Sequence, residues 1–246
     1  MKYPVDQLLK LLVEDHLKNI GGKEKGDNMW RDPEGYPAMV NNNAFNNDFL
    51  NDLIKEWKDK VETGKHLSNE KGIMTTDNKV RDSDVVFFSH PELERTLLDL
   101  VLAANNMMGY DWDITAYEQP QFTKYTKNQH YYWHQDMGMG SRGRKFIPSS
   151  DQTPKGHNPM DYIPIPQLIG TVRKMSITLL LNDPKEYKGG EFQTQYCTKG
   201  KLITNTYKGQ QGTIYIFPSW LEHRVKPVKQ GTRYSIVMWF CGPPLK

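Results

Sequence analysis

Arg173-Lys174-Met175-Ser176-Ile177-Thr178-Leu179-Leu180-Leu181-Asn182 is the stretch that decides the fold. Met175, Ile177, Leu179 and Leu181 alternate with Ser176, Thr178 and Leu180, the period of a β-strand that shows different chemistry on its two faces. Strand patterns also cover 112–117, 122–125 and 130–136 upstream, and 191–196, 213–217 and 232–240 downstream. Glycines at 189, 190, 200, 209, 212 and 231 punctuate the later ones. Between 137 and 170 all periodicity stops, and glycines and prolines accumulate. A segment this long inside a compact domain is often a lid or a binding loop.

Before residue 110 the period is helical. Val5, Leu8, Leu9, Leu12, His16 and Ile20 recur at helix spacing and Gly21-Gly22 stop them. Residues 23–39 read as a loop. A second helix is expected over 47–62, with Phe49, Leu50, Leu53, Ile54, Trp57 and Val61 on one stripe and Asn46 or Asn47 as cap. A short strand is expected over 85–88. Ser89 with Glu92 then suggests a capping box, Pro91 suits a first helical position, and the helix runs to about 106. Helices first and antiparallel strands after give an α+β fold: a double-stranded β-helix, or jelly roll of cupin type, with helices packed outside. The expected division is an extension over 1–39 and one domain over 40–246, its helices within 47–106 and its jelly roll within 110–241.

Composition narrows the function. With 246 residues, 37% hydrophobic and 11% aromatic, the chain can bury a full core and is no disordered segment. A formal charge of +3 gives no ground for a nucleic-acid or membrane partner. No run of eighteen apolar residues exists, and the N-terminus lacks the pattern of a secretory leader. Only Cys197 and Cys241 are present, which suits a reducing, cytoplasmic setting.

Two distant segments carry chemistry: Trp133-His134-Gln135-Asp136 and Leu221-Glu222-His223-Arg224-Val225, the latter followed by Gly231-Thr232-Arg233. On a strand, His134 and Asp136 point to the same side. Joined by His223 they form a two-histidine, one-carboxylate set, which leaves metal positions open and suits ferrous iron; zinc accepts the same ligands. The plainer reading of His223 is a surface-loop histidine. Arg233, Ser235, Val237 and Trp239 share one face of the last strand. If that face points inward, Arg233 needs an anionic partner, and a dicarboxylate would supply one. An outward-facing arginine, or one paired with a protein carboxylate, fits the sequence equally well.

These blocks resemble the iron(II)/2-oxoglutarate-dependent oxygenases, in the prolyl 4-hydroxylase-like branch that includes bacterial PKHD-type hydroxylases and versions carried by bacteriophages. The resemblance rests on Tyr125, Tyr131, His134 and Asp136; on Arg173 to Asn182; on Gly189-Gly190-Glu191-Phe192; on Gly212 to Ser219; and on His223 to Val228 followed by Gly231 to Ser235. It implies that His134, Asp136 and His223 ligate Fe(II), and that Arg233 binds the distal carboxylate of 2-oxoglutarate with Tyr125 as helper. Tyr131, Ser235 and Trp239 are expected to line the same pocket. The implied reaction uses O2 and 2-oxoglutarate, yields succinate and CO2, and hydroxylates a C–H bond. The expected partner is a peptide or protein substrate, with proline the leading residue, and the resemblance leaves room for ascorbate as an auxiliary reductant. A dioxygenase acting on a small molecule and a non-catalytic jelly-roll module are the alternatives. Because imidazoles bind metal only when neutral, activity is expected to fall in acid. Arg173 and the basic residues Arg142, Arg144 and Lys145 are weaker substrate candidates; such clusters are usually solvated surface.

Overall fold

The computed structural model describes residues 39–41, 44–64, 66–67, 74–75, 79–137, 168, 170–207 and 209–244. The helix expected over 5–20, and the 137–170 segment apart from Met137, Leu168 and Gly170, lie outside the described residues.

Two α-helices are present among these residues, besides a 3-10 turn at Pro184–Glu186. The first, α1 (Asn47–Trp57), is capped by Asn46, whose side chain accepts from the Phe49 N–H at 2.8 Å. It stops short of the expected 62, because Glu62–Thr63 joins a sheet instead. The second, α2 (Pro91–Met107), is capped by His90 rather than Ser89. Pro91 occupies the first turn, so the reaching carboxylate is Glu94, which accepts from Ser89 Oγ and from the His90 N–H at 2.9 Å each.

The strands are β1 (Met39–Asn41), β2 (Glu62–Thr63), β3 (His66–Leu67), β4 (Met74–Thr75), β5 (Arg81–Asp82), β6 (Asp84–Phe87), β7 (Ala116–Tyr117), β8 (Gln121–Tyr125), β9 (His130–His134), β10 (Val172–Leu180), β11 (Lys188–Gly189), β12 (Phe192–Thr198), β13 (Lys201–Tyr207), β14 (Ile214–Pro218), β15 (Glu222–Val225), β16 (Val228–Gln230) and β17 (Arg233–Gly242). The larger sheet runs β1-β14-β10-β17-β8-β6-β2, with β7 also on β17; the smaller runs β13-β12-β15-β9-β5. All these pairings are antiparallel, which gives the expected jelly roll.

The period-2 pattern sorts the larger sheet into two chemistries. Met175, Ile177, Leu179, Ile214, Ile216, Ile236, Met238 and Phe240 are fully buried against Leu50, Leu53, Leu93, Leu97 and Leu100 of the helices. The alternate residues face the smaller sheet. There Tyr125, Leu180, Tyr215 and Phe217 pack with Phe192, Leu221, Val225 and Val228. The same inner face holds Thr123, Ser176, Thr178, Arg233 and Ser235, all buried. Among the described residues no helix is long and apolar enough to cross a membrane.

Candidate metal centre

His134 and His223 sit on neighbouring strands of the smaller sheet and are direct cross-strand partners. The register shifts between the His223 and Val225 pairs, so β9 carries an extra residue there. Such a bulge turns side chains that would alternate onto one side. Tyr131, three residues before His134, therefore stacks on its imidazole at 3.5 Å between centroids. His223 is thus a strand residue and not the surface-loop histidine that the sequence left open.

Asp136 reaches the pair differently from the sequence expectation. Strand β9 ends at His134, and Asp136 lies in a turn. The Met137 N–H donates to the Ser219 carbonyl at 2.9 Å and ties that turn to the end of β14. Asp136 Oδ1 then lies 3.6 Å from His134 Nε2, and Oδ2 lies 3.5 Å from His223 Nε2. One ligating atom from each of the three residues falls within 4.8 Å of the others.

The surroundings prepare these groups as ligands. Nδ1 of His134 faces the Tyr132 carbonyl at 2.7 Å, and Nδ1 of His223 faces the Leu221 carbonyl at 2.9 Å. A carbonyl only accepts, so each Nδ1 carries a proton, and Nε2 is the nitrogen left to ligate when the ring is neutral. Burial, then the neighbouring His223, lowers the pKa of His134 to about 3. That imidazole is therefore neutral well below the ordinary pH of histidine titration. Burial alone would raise the Asp136 carboxyl, but His223, His134 and Arg173 outweigh it and hold it below its usual range. Asp136 Oδ2 is buried and accepts no hydrogen bond among the described residues. Phe217 and Phe192 flank the His223 ring at 4.7 and 5.8 Å. Two lone pairs and a desolvated carboxylate oxygen converging in an apolar shell fit a divalent cation.

Arg233 opens β17 and is 1% exposed. Its guanidinium donates through Nη1 to Ser235 Oγ at 2.8 Å and lies over the Tyr125 ring at 5.4 Å. Nε and Nη2 are buried without a hydrogen bond of normal geometry among the described residues, and besides Ser235 the guanidinium interacts with the Tyr187 hydroxyl. Of the two readings the sequence left open, the side chain takes the inward one. Gly190 makes this possible. At φ +68 it has no side chain, and a Cβ there would come within 3.1 Å of Arg233 Cδ.

Tyr125 pairs across strands with Arg233, and burial raises its phenol pKa while the charges of Arg81 and then Arg233 oppose the rise. Trp239 does not reach the guanidinium end. It lies six residues along β17, roughly 20 Å at strand rise, and stacks on Arg173 at 3.9 Å. Arg173 is held bidentately by Glu118. Glu118, Arg81 and Tyr187 also lie beside these groups, and no motif in the sequence marked them; Tyr215 falls inside the Gly212 to Ser219 block, which gives it no role.

Residues 120–241 match a family model described as the 2OG-Fe(II) oxygenase superfamily. A PKHD-type hydroxylase of Xylella fastidiosa (strain M12) is 32% identical over 127 residues, 49% of this chain and 43% of that protein. Another, from Prochlorococcus marinus (strain NATL1A), is 37% identical over 84 residues, 34% of this chain and 36% of that protein. The chain thus spans less than half the length of these relatives. Among solved structures, a Pseudomonas putida prolyl-4-hydroxylase superposes with a TM-score of 0.58 at 15% identity, covering 95% of this chain and 98% of that one. A prolyl hydroxylase from Trichoplax adhaerens, in complex with a hypoxia inducible factor oxygen degradation domain peptide fragment, gives 0.61 at 15% identity over 97% and 94%. At such identities the likeness is one of fold.

Proposed function

This chain belongs to the 2OG-Fe(II) oxygenase superfamily, and from that premise we propose that it is a 2-oxoglutarate-dependent dioxygenase that hydroxylates a peptidyl residue, proline first among them. The observation that carries the reading is the pairing of two features. Three ligating atoms of His134, Asp136 and His223 converge within 4.8 Å, and the buried cation Arg233 has donors to spare.

In this reading Nε2 of His134, Nε2 of His223 and the Asp136 carboxylate hold Fe(II). Arg233 takes the distal carboxylate of 2-oxoglutarate in a charge-assisted pair, with Ser235 fixing the guanidinium and Tyr125 beside it. When bound, the iron supplies the activation of O2 that drives decarboxylation of the co-substrate and hydroxylation of a C–H bond. The protein's own residues bind, orient and exclude water. The carbonyls of Tyr132 and Leu221 keep both imidazoles in the ligating tautomer. The stacked Tyr131 and the phenylalanines beside His223 keep the site apolar. Arg173, Glu118 and Trp239 lie toward the opposite end of the same face from Arg233, the side left for substrate. The hydroxylase assignment draws on the PKHD-type relatives, and the peptide on the fragment held by the Trichoplax protein.

Anaerobic addition of Fe(II) and 2-oxoglutarate to the protein should produce a weak visible charge-transfer band that His134→Ala abolishes. Absence of that band in the unmutated chain, with zinc bound instead, would falsify the reading. A peptide-library turnover screen read by mass spectrometry, looking for the gain of one oxygen atom, then tests proline against other residues and against small molecules.

A further inference from the structure

Among the described residues the two main sheets end on four strands of unequal length. The larger sheet ends on β1 and β2, of three and two residues. The smaller ends on β5, of two residues, and on β13, of seven. An open edge offers unpaired backbone groups to any other strand, and a very short edge strand is one way to limit that offer. The first three edges are limited in this way and β13 is not. It has no proline, no glycine and no bulge in its register with β12, and its one charged residue, Lys201, stands at its end.

The register fixes which backbone groups face outward. Lys199 and Gly200 form a two-residue hairpin loop, both at positive φ, so the flanking Thr198 and Lys201 are a hydrogen-bonded pair. Along the ladder the hydrogen-bonded pairs are then Tyr196–Ile203, Thr194–Asn205 and Phe192–Tyr207. The N–H and C=O groups of Leu202, Thr204 and Thr206 point the other way, off the sheet. All three residues are exposed, Leu202 at 61%. No other described strand pairs with β13.

The sequence of the edge is complementary to itself. Set antiparallel to a second β13 about a two-fold axis at Thr204, it places Leu202 opposite Thr206, Ile203 opposite Asn205 and Lys201 opposite Tyr207. This register pairs the whole strand. Leu202, Thr204 and Thr206 become its hydrogen-bonded positions, each pair exchanging both N–H···O=C bonds. The two lysines stand at opposite ends, so no like charges face each other, and each lies across from an aromatic ring.

We propose that β13 is a docking edge for a second copy of this chain, which joins two smaller sheets into one antiparallel sheet through an isologous two-fold contact. The proposal does not depend on the function assigned above. His134 and His223 lie on β9 and β15, away from this edge, so each metal centre stays within its own chain. A single edge strand buries less than a standard stable interface, and association should therefore depend on concentration, with a Kd in the micromolar range.

The test is sedimentation equilibrium of the full chain. The mass should rise with concentration from 28.6 kDa toward twice that value. Thr204→Lys sets two like charges against each other on the axis and should leave only monomer. Its unfolding temperature in dilute solution should not change, because the residue is exposed. The register is read by single cysteines placed in a Cys197→Ser chain. Thr204→Cys should form a disulfide-linked dimer on mild oxidation, since the paired Cα atoms would lie about 5.5 Å apart, inside the range that a disulfide spans. Thr206→Cys should not, because the two copies of that residue would lie about 13 Å apart. A monomer at every concentration would leave the edge to a different partner and overturn the proposal, as would a dimer that Thr204→Lys leaves intact. Equal cross-linking at 204 and 206 would mean random collision and overturn it as well.

Discussion

The two faces of the larger sheet are built from the same strands and do opposite work. On β10, Met175, Ile177 and Leu179 pack on the helices, while Ser176, Thr178 and Leu180 look into the roll. On β17, Ile236, Met238 and Phe240 face out to the helices, while Arg233 and Ser235 face in. The outer face stabilises by burying aliphatic surface. Among the described residues the inner face leaves buried polar atoms unpartnered, Arg233 Nε and Nη2 and Tyr215 Oη among them, and the turn after β9 adds Asp136 Oδ2 opposite. A structure tolerates such groups where a ligand completes them. Stability and function are thereby separated by one residue of register.

The largest effect is expected at the proposed metal ligands. Asp136→Ala should take turnover below detection. It should also lower Mn(II) affinity by more than the roughly 10–100-fold that loss of an outer hydrogen-bond partner costs. The variant should stay folded, because Asp136 lies in a turn and supports no strand. Circular dichroism and metal titration read these two effects separately. Next comes Arg233→Ala, for which 2-oxoglutarate binding should weaken at least ~30-fold, from about 2–5 kcal/mol for truncating one member of a buried charge pair. An unchanged Kd would mean that the guanidinium meets no acid.

The outer face should respond in the opposite way. Ile177→Ala removes a fully buried side chain from the helix–sheet interface. It should cost about 2–4 kcal/mol of unfolding free energy, measured by urea denaturation, and leave the Kd for 2-oxoglutarate within twofold at low temperature. A large binding defect in this variant would show that the two faces are not independent.

What could be read from the sequence follows the same division. The outer face was legible because Met175, Ile177 and Leu179 announce their period, and α2 was legible from Leu93, Leu97, Leu100 and Val101. His134, Asp136, His223 and Arg233 were legible as residue types in order. How they meet was not. The bulge in β9 and the turn at Asp136 arise from pairing with β15 and from the Met137–Ser219 hydrogen bond, which are long-range facts. Strand β13 went unread because its Leu202, Thr204 and Thr206 form no apolar face. Among the described residues it pairs with β12 alone, across the hairpin at Lys199-Gly200, both at positive φ. Tyr215 looked like one more aromatic in an apolar run, since nothing local reveals a hydroxyl without a partner.

A smaller effect tests whether the inner face is as tightly fitted as it looks. Gly190→Ala asks an L-residue to hold φ +68 and places a methyl 3.1 Å from Arg233 Cδ and 3.0 Å from Val228 Cγ2. The left-handed conformation alone costs roughly 1–2 kcal/mol. The displaced guanidinium should in addition raise the Kd for 2-oxoglutarate several-fold. A stability loss with no change in Kd would show that Arg233 tolerates the intrusion, and that the glycine serves only the backbone.

The least costly test needs no substitution. Cys241 lies on the inward face of β17 beside Glu118, and Cys197 is exposed on β12. Burial, reinforced by the Glu118 carboxylate, pushes the Cys241 thiol up to about 12. Only the thiolate reacts with an alkylating reagent, and at pH 9 the native protein offers almost none at Cys241. Native protein treated with iodoacetamide at pH 9 should therefore gain one adduct, at Cys197. Protein unfolded in urea should gain two, because Cys241 then returns to an ordinary thiol pKa near 8.5. Two adducts on the native chain would mean that water and reagent reach the inner end of β17. The burial that holds the Cys241 thiol protonated would then have to be given up.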